Sequence, residues 1–388
     1  AVEGAEMLLL RERCEITRSS LNLLPPFTSS ETGTARQFEY SPHTPDLLVV
    51  GSFTGSVALV DGAAHTPKAG TVTQCTESGE VLALNWLSQH TDRVMVGSCD
   101  VSGGSGAGSI QMMRVVNEGG ALALAPEDVF RAPMDWLNSV CSNSTDDRFI
   151  AAGLNQVRLF DLPTATLLQS MPEWHTAFVN CPKFANRHPH LIASASLDQT
   201  LCLWDARTPM RRPCWRKELG WGGCMVCFSP TDETILVSGE CSRVWQFCSS
   251  DGRVHSELGL ESIGDDDEGN YTKSYYSSDG RHAVVTGRLE DCLHICCSRT
   301  GELVESFQIR DNRPSSSMHL LTRTSRPDPF HPHRYSVLVD GWDPLPQDPL
   351  NDPSDSSTLA YVVDIASAAS GTSGEREPIG RRGICDMQ

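Results

Sequence analysis

Residues 175–207 read HTAFVNCPKFANRHPHLIASASLDQTLCLWDAR, and this stretch indicates how the whole chain folds. It contains an apolar run, a turn with Asn186 and Pro189, and the alternating strand LIASAS. A tight turn at residues 197–199 leads into a second strand that ends in Trp-Asp. Two short strands joined by a polar turn are the pattern of a β-hairpin. The stretch is therefore predicted to be all-β.

Weaker copies of this unit flank it on both sides. The upstream copies are RQFEYSPHTPDLLVVGSFTGSVALVD, VLALNWLSQHTDRVMVGSCD with SIQMMRVV, and LNSVCSNSTDDRFIAAGLNQVRLFD. The downstream copies are MVCFSPTDETILVSGECSRVWQF, TKSYYSSDGRHAVVTGRLEDCLHICC, and a degraded RYSVLVDGW with TLAYVVDI. Together the seven copies span Arg36 to Ile365, on average roughly 47 residues each. A period of this size predicts a repeat architecture in which neighbouring units bury a common core.

The unit at residues 175–207 resembles the WD repeat, which is about 40–45 residues long and has four strands. The resemblance implies an all-β, seven-bladed WD-repeat β-propeller. It also implies a structural tetrad in which hydrogen bonds lock the blade, formed by His175, Ser194, Asp198 and Trp204. A buried tryptophan N–H and a buried histidine each need a partner, and such a chain supplies both. Most other copies lack the histidine or the tryptophan.

Three regions are expected along the chain. Residues 1–30 form an N-terminal segment, in which the apolar spacing of residues 5–16 predicts a short helix. We interpret this helix as a cap on one end of the propeller, with a helix offered to a partner's groove as the alternative. Residues 31–366 form the propeller, and the small, polar residues 367–388 are expected to be a disordered tail.

The bulk composition is that of a folded soluble protein, with 39% hydrophobic and 21% charged residues. No apolar run approaches the ~18–20 residues of a membrane helix, and no secretory signal is recognised. The fifteen cysteines are therefore interpreted as reduced thiols, which favours the cytoplasm, the nucleus or both. A net charge of −18 opposes direct contact with a nucleic-acid backbone.

Two groups of cysteines have spacings that could suggest zinc. Cys224 and Cys227 lie three positions apart on a predicted strand, where their side chains point to opposite faces. A second group is Cys292, Cys296 and Cys297, which lies among apolar strand residues. Structural thiols are the expected outcome in both cases. No metal is predicted.

Several loops carry polar residues without a recognisable cofactor pattern. The His-Pro-His triplets at 188–190 and 331–333 are typical of turns. Residues 102–109 are rich in glycine and serine but lack the Lys-Ser/Thr of a phosphate loop. The acidic residues 261–268 lack the alternating ligands of a calcium loop. No cofactor is predicted.

Catalysis finds no support in the sequence, and the chain is predicted not to be an enzyme. There is no GxSxG motif. His175, Ser194 and Asp198 match a hydrolytic triad in residue type, but the resemblance assigns them to the blade-locking tetrad. The alternative from another class is a propeller enzyme with carboxylates at the channel mouth. No recurring acidic or histidine position among the copies supports it.

The motif Trp204-Asp205-Ala206-Arg207 resembles a box found in some WD-repeat proteins. Through this box they dock on the damaged-DNA-binding adaptor of cullin-4 ubiquitin ligases. The resemblance implies that the propeller is a substrate receptor and that Trp204, Asp205 and Arg207 form the partner-binding site. An arginine suits this role because its planar fork stays charged and binds acceptors bidentately. The adjacent copy, at residues 160–163, has no arginine. The alternative is a scaffold subunit of another assembly, such as an RNA-processing or chromatin complex.

Overall fold

A computed structural model describes most of the chain, and every regular element in the described part is a β-strand. The described residues are 16–23, 35–61, 66–75, 79–100, 107–130, 136–154, 156–171, 175–209, 211–260, 271–287, 292–308, 319–331, 334–342 and 358–367. Of the helix predicted over residues 5–16, only Ile16 is described, and it is the first residue of strand β1 (Ile16–Leu23). A helix able to cross a membrane is likewise absent from the described part.

The strands form seven four-stranded sheets, all with antiparallel pairing, which we number in chain order. Sheet 1 contains β2 (Ala35–Tyr40), β3 (Leu47–Ser52), β4 (Ser56–Asp61) and β5 (Thr66–Gln74). Sheet 2 contains β6 (Glu80–Trp86), β7 (Arg93–Asp100), β8 (Ala107–Glu118) and β9 (Ala121–Phe130). Sheet 3 contains β10 (Leu137–Ser142), β11 (Arg148–Gly153), β12 (Gln156–Asp161) and β13 (Leu167–Met171).

The next three sheets have the same plan of four consecutive strands. Sheet 4 contains β14 (Lys183–Phe184), β15 (Leu191–Ala195), β16 (Thr200–Asp205) and β17 (Trp215–Glu218). Sheet 5 contains β18 (Gly223–Phe228), β19 (Thr234–Gly239), β20 (Val244–Cys248) and β21 (Val254–Glu257). Sheet 6 contains β22 (Thr272–Tyr276), β23 (His282–Gly287), β24 (Cys292–Cys297) and β25 (Leu303–Gln308).

Sheet 7 combines the two ends of the described chain. It contains β26 (His319–Pro327), β27 (Arg334–Trp342) and β28 (Thr358–Ser367), and β1 pairs with β28 as its fourth strand. The prediction that residues 1–30 lie outside the propeller is therefore wrong for residues 16–23. The physical reason is that β28 would otherwise present an open edge, which β1 covers with backbone hydrogen bonds.

The sheets are arranged as a ring with their first strands innermost. Each innermost strand packs against that of the next sheet, and β26 of sheet 7 contacts both β22 and β2, which closes the ring. The apolar cores lie between neighbouring sheets, as where Ile150 and Leu159 of sheet 3 meet Ile192 and Trp204 of sheet 4. Alternating strand residues bury one face against each neighbour, because side chains along a strand point to opposite faces. The prediction of an all-β propeller is confirmed.

Candidate protein-interaction site

The four tetrad residues meet inside sheet 4. His175 precedes β14, Ser194 lies on β15, Asp198 lies in the turn after β15, and Trp204 lies on β16. The indole Nε1–H of Trp204 donates to Ser194 Oγ at 2.9 Å. The Ser194 hydroxyl lies 2.8 Å from His175 Nε2, and His175 Nδ1 lies 3.1 Å from Asp198 Oδ2. A neutral histidine that donates from Nδ1 and accepts at Nε2 completes one continuous chain of donors and acceptors.

Asp198 anchors this chain with a charged carboxylate. Burial alone would raise the pKa of Asp198, but hydrogen bonds from His175 and Thr200 outweigh it and hold that pKa well below its usual range. The Thr176 backbone N–H donates to the same carboxylate at 2.9 Å. Ser194 is fully buried, and its hydroxyl is already engaged between Trp204 and His175. The geometry is that of a structural lock and not of an exposed nucleophile.

Arg207 lies just beyond the end of β16 and is held by Asp205. Its Nε lies 3.0 Å from Asp205 Oδ1 and its Nη2 lies 2.7 Å from Oδ2, a bidentate fork. The Arg207 backbone N–H also donates to Asp205 Oδ1, at 2.9 Å. The hydrogen bond from Arg207 is the main reason that the pKa of Asp205 is lowered. The Arg207 side chain is 65% exposed, so its outer guanidinium face is presented to solvent in a fixed orientation.

The segment that carries Arg207 also joins sheets 3 and 4. Arg148 of sheet 3 donates from Nη1 to the Ala206 carbonyl at 3.1 Å, and Gln169 of β13 donates to the Thr208 carbonyl at 3.4 Å. Leu167 and Leu168, on β13, are 49% and 44% exposed. Sequence analysis missed these residues because they belong to sheet 3, whereas the motif at residues 204–207 belongs to sheet 4. Only the contact between the two sheets brings them together.

The adjacent copy of the motif has a different local structure. Asp161, which ends β12, accepts hydrogen bonds from the backbone N–H and the hydroxyl of Thr164, at 3.0 and 2.6 Å. Thr164 thus binds the Asp161 carboxylate of sheet 3, whereas Arg207 binds the corresponding Asp205 carboxylate of sheet 4.

A second group of side chains lies at the centre of the ring and was also missed. One residue of each innermost strand, at the same position of each repeat, contributes to it. We call this group the collar, and its members are Glu39, Asn85, Cys141, Lys183, Cys227, Tyr275 and Arg326. The signal could have been found by aligning the copies EYSP, NWLS, CSNS, KFAN, CFSP, YYSS and RPDP. Cysteine occurs at this position in two copies and the other five copies each have a different residue, so no consistent letter marks the position.

The collar contains a close ion pair. Arg326 Nε lies 2.7 Å from Glu39 Oε1, although the two residues are 287 positions apart in the chain. The same guanidinium donates to the Tyr275 hydroxyl and lies 4.4 Å above the centre of the Tyr275 ring. Side chains of sheets 7, 1 and 6 therefore converge on the axis of the ring.

The cysteines considered for zinc have separate surroundings. Cys224 donates to the Gly222 carbonyl and Cys227 to the Phe228 carbonyl. Among the described residues, a group of three candidate ligands with atoms within 4.8 Å of one another is Asp46, Asp328 and His331. Neither Cys224 nor Cys227 belongs to that group.

The two histidine triplets begin with the same contact. His331 Nδ1 lies 2.8 Å from Asp328 Oδ2, and His188 Nδ1 lies 3.0 Å from Asp232 Oδ2. Asp328 also accepts the backbone N–H groups of Phe330 and His331. Both aspartates are fully buried acceptors within turns, which is the turn chemistry that the sequence predicts.

Two thiols are expected to differ in their reaction with iodoacetamide. Burial raises the pKa of Cys297, but hydrogen bonds from Thr300 and the Arg299 backbone outweigh it and lower that pKa overall. The pKa of the exposed Cys214 is raised by partial burial and by Asp205. Since the thiolate is the nucleophile, the ratio of Cys297 to Cys214 alkylation should fall as pH rises from about 7 to about 9.5. Pulse alkylation with peptide mass spectrometry measures this ratio, with the denatured chain as control. A pH-independent ratio would contradict the prediction.

Comparison with known proteins adds two relatives, while no family model matches the chain. Over 315 residues the chain is 30% identical to Protein DWD HYPERSENSITIVE TO UV-B 1 of Arabidopsis thaliana, covering 78% of this chain and 38% of that protein. Over 150 residues it is 23% identical to DNA damage-binding protein CMR1 of Vanderwaltozyma polyspora, covering 35% of this chain and 26% of that protein. The chain thus spans well under half the length of both. From the ring of four-stranded sheets, the tetrad in sheet 4 and these relatives, we conclude that the chain belongs to the WD-repeat β-propeller family.

Proposed function

We propose that the chain is a protein-interaction scaffold whose seven sheets serve as seven blades. Its Arg207 face docks on the damaged-DNA-binding adaptor of cullin-4 ubiquitin ligases, and another face holds the substrate protein. The observation that carries the proposal is the exposed guanidinium of Arg207, which Asp205 holds in a bidentate fork. A side chain that is ordered before binding loses less conformational entropy when a partner docks.

The surroundings of Arg207 fit a protein partner. Leu167 and Leu168 supply exposed apolar area on the neighbouring β13, and Gln169 ties that strand to the Arg207 segment. Apolar side chains next to an arginine are a common composition at the centre of a protein interface. The interface would therefore cover sheets 3 and 4 together.

The names of the two relatives support a damaged-DNA-binding adaptor as the partner. One name refers to hypersensitivity to UV-B and the other to binding at DNA damage. Docking on a damaged-DNA-binding adaptor would give this chain a role in the same kind of response. The proposal places the protein in the cytoplasm, the nucleus or both.

The second candidate is a scaffold subunit of an RNA-processing or chromatin assembly. The net charge of −18 opposes direct contact with a phosphate backbone, so such a subunit would bind through proteins. Catalysis is not part of either proposal, because the serine that resembles a nucleophile is buried within the tetrad.

Affinity purification of the tagged chain, with bound proteins identified by mass spectrometry, tests the proposal. Arg207→Ala is expected to reduce recovery of the adaptor by tenfold or more, because it removes the fixed guanidinium. Arg253→Ala is the matched control, since Arg253 makes a similar pair with Asp251 in a turn of sheet 5. Undiminished recovery with Arg207→Ala, or equal loss with both variants, would contradict the assignment. If no version recovers the adaptor, the second candidate is favoured.

A further inference from the structure

Sheet 6 is bordered on both faces by buried hydroxyl groups that lack hydrogen-bond partners. Five serine and threonine side chains in the described part of the chain are buried and have no such partner. They are Thr272, Ser274 and Thr286 of sheet 6, Ser238 of sheet 5 and Ser325 of sheet 7. Each is at most 2% exposed. Buried hydroxyls of other sheets, such as those of Ser52 and Ser98, are hydrogen-bonded.

Three of the five hydroxyl groups lie at the interface between sheets 5 and 6. Thr234 Oγ1 lies 2.9 Å from the Tyr276 hydroxyl, which joins β19 of sheet 5 to β22 of sheet 6. Alternate residues of a strand share one face, so Ser238 lies on the same face of β19 as Thr234. By the same rule Thr272 and Ser274 lie on the face of β22 that carries Tyr276. The three unpartnered hydroxyls therefore face one interface from both sides.

The other two hydroxyl groups lie at the interface between sheets 6 and 7, where β23 packs against β26. Ala283 of β23 belongs to the apolar cluster shared with sheet 5, so Thr286, three positions later, faces sheet 7. On β27, the Ser336 hydroxyl bonds with the Tyr40 hydroxyl of sheet 1. Ser325 pairs with the residue that follows Ser336, so it is turned the opposite way, towards sheet 6.

The interface between sheets 4 and 5 has apolar residues at corresponding positions. Val226 lies two residues before the end of β18, as Ser274 does in β22. Ala195 corresponds in strand register to Ser238. Val226 and Ala195 belong to one apolar cluster. A buried hydroxyl without a partner has lost its hydrogen bonds to water and gained none in return. Separating sheet 6 from its neighbours therefore costs less free energy than separating sheets 4 and 5.

We propose that sheet 6 is the part of the ring that opens, with strands β22 to β25 detaching from sheets 5 and 7 while the other sheets stay packed. Opening returns the five hydroxyls to water, and its free energy lies below that of global unfolding. It also exposes Tyr276 and the apolar residues packed around it, which the closed ring hides. A partner that binds only this surface would increase the population of the open ring. The inference does not depend on the proposed function.

Hydrogen exchange of the full chain, followed by mass spectrometry at low urea concentrations, tests the proposal. In the wild type, amides of β22 to β24 are expected to be about tenfold less protected than amides of β10 to β12 in sheet 3. Thr272→Val combined with Thr286→Val removes one hydroxyl from each face of sheet 6 at nearly constant shape. It should raise the protection of sheet 6 by about tenfold. Val226→Thr is the reciprocal variant, which places a hydroxyl between sheets 4 and 5 and should lower protection of β18 without raising that of sheet 6.

The wild-type measurement decides the proposal even if a variant fails to fold. Equal protection of sheets 3 and 6, or exchange of all sheets at one common rate, would show that the ring opens only by global unfolding and would overturn it. Unchanged protection of sheet 6 in the Thr272→Val, Thr286→Val chain would overturn the assignment of opening to the buried hydroxyls.

Discussion

Ser194→Ala is expected to lower the free energy of unfolding by about 2–4 kcal/mol, because it leaves two buried groups without partners. The Ser194 hydroxyl accepts from Trp204 Nε1 and donates to His175 Nε2, so removing it breaks the chain in the middle. Both partners are almost completely buried, and water cannot easily replace the lost hydroxyl. The denaturant midpoint, measured at unchanged slope, gives the size of the loss.

Sheet 5 offers a matched control for this prediction. Ser238 on β19 is fully buried, as Ser194 on β15 is, and in the strand register it corresponds to Ala195, the residue that follows Ser194. The tryptophan is replaced there by Phe247, which pairs with Ile235 as Trp204 pairs with Ile192. The Ser238 hydroxyl has no hydrogen-bond partner within the described residues.

Ser238→Ala should therefore be neutral or slightly stabilising, since it removes a buried hydroxyl that gains nothing from the fold. The contrast between the two serines separates the tetrad from the general effect of removing a hydroxyl from a core strand. If both variants lost the same stability, the tetrad would not be the source of the effect. If neither lost any, the hydrogen-bonded chain would not contribute to folding.

The tetrad could be predicted because its members lie within one short stretch of sequence. His175, Ser194, Asp198 and Trp204 all fall inside a single hairpin unit, so local strand spacing and the WD-repeat resemblance were sufficient. Pairing of β1 with β28 was not predictable in this way. Their partners are separated by almost the whole chain, and only closure of the ring brings the two strands together.

The collar was missed for a different physical reason. Its members share a position and not a residue type, so composition and repeat signatures carry no trace of them. The Glu39–Arg326 pair forms only because the first and last sheets of the ring are neighbours. Local patterns thus predict what one sheet contains, whereas the contacts between sheets depend on the closed ring.

One contact between sheets, made by Asp232, is expected to contribute strongly to the free energy of unfolding. Asp232 lies in the turn between β18 and β19 of sheet 5, and its side chain is 1% exposed. It accepts the backbone N–H groups of Asn186, Arg187 and His188 in sheet 4, at 2.8, 2.7 and 3.0 Å. Asp146 of sheet 3 accepts three consecutive backbone N–H groups of sheet 2 in the same way. One carboxylate thus joins two neighbouring sheets, and both Asp146 and Asp232 do so.

Asp232→Asn is expected to lower the free energy of unfolding by about 3 kcal/mol, because an amide NH₂ would face backbone donors that now reach an oxygen. Asparagine is the informative replacement since Asp232 has a φ of 64°, a left-handed conformation that asparagine tolerates. Asp232→Ala should be more destabilising, because alanine removes both oxygens and is strained at that φ. Urea denaturation measures both losses.

Asp251→Asn is the control, because Asp251 lies in an outer turn of the same sheet and its hydrogen bonds to the described residues come from the exposed Arg253, side chain and backbone. It should leave the midpoint unchanged. Asp146→Asn combined with Asp232→Asn should give additive losses, since the two carboxylates share no partner. A loss well below the sum would show that breaking one junction already loosens the other. Unchanged stability in Asp232→Asn would mean that apolar packing alone holds sheets 4 and 5 together, and that the buried carboxylate contributes nothing to the closure of the ring.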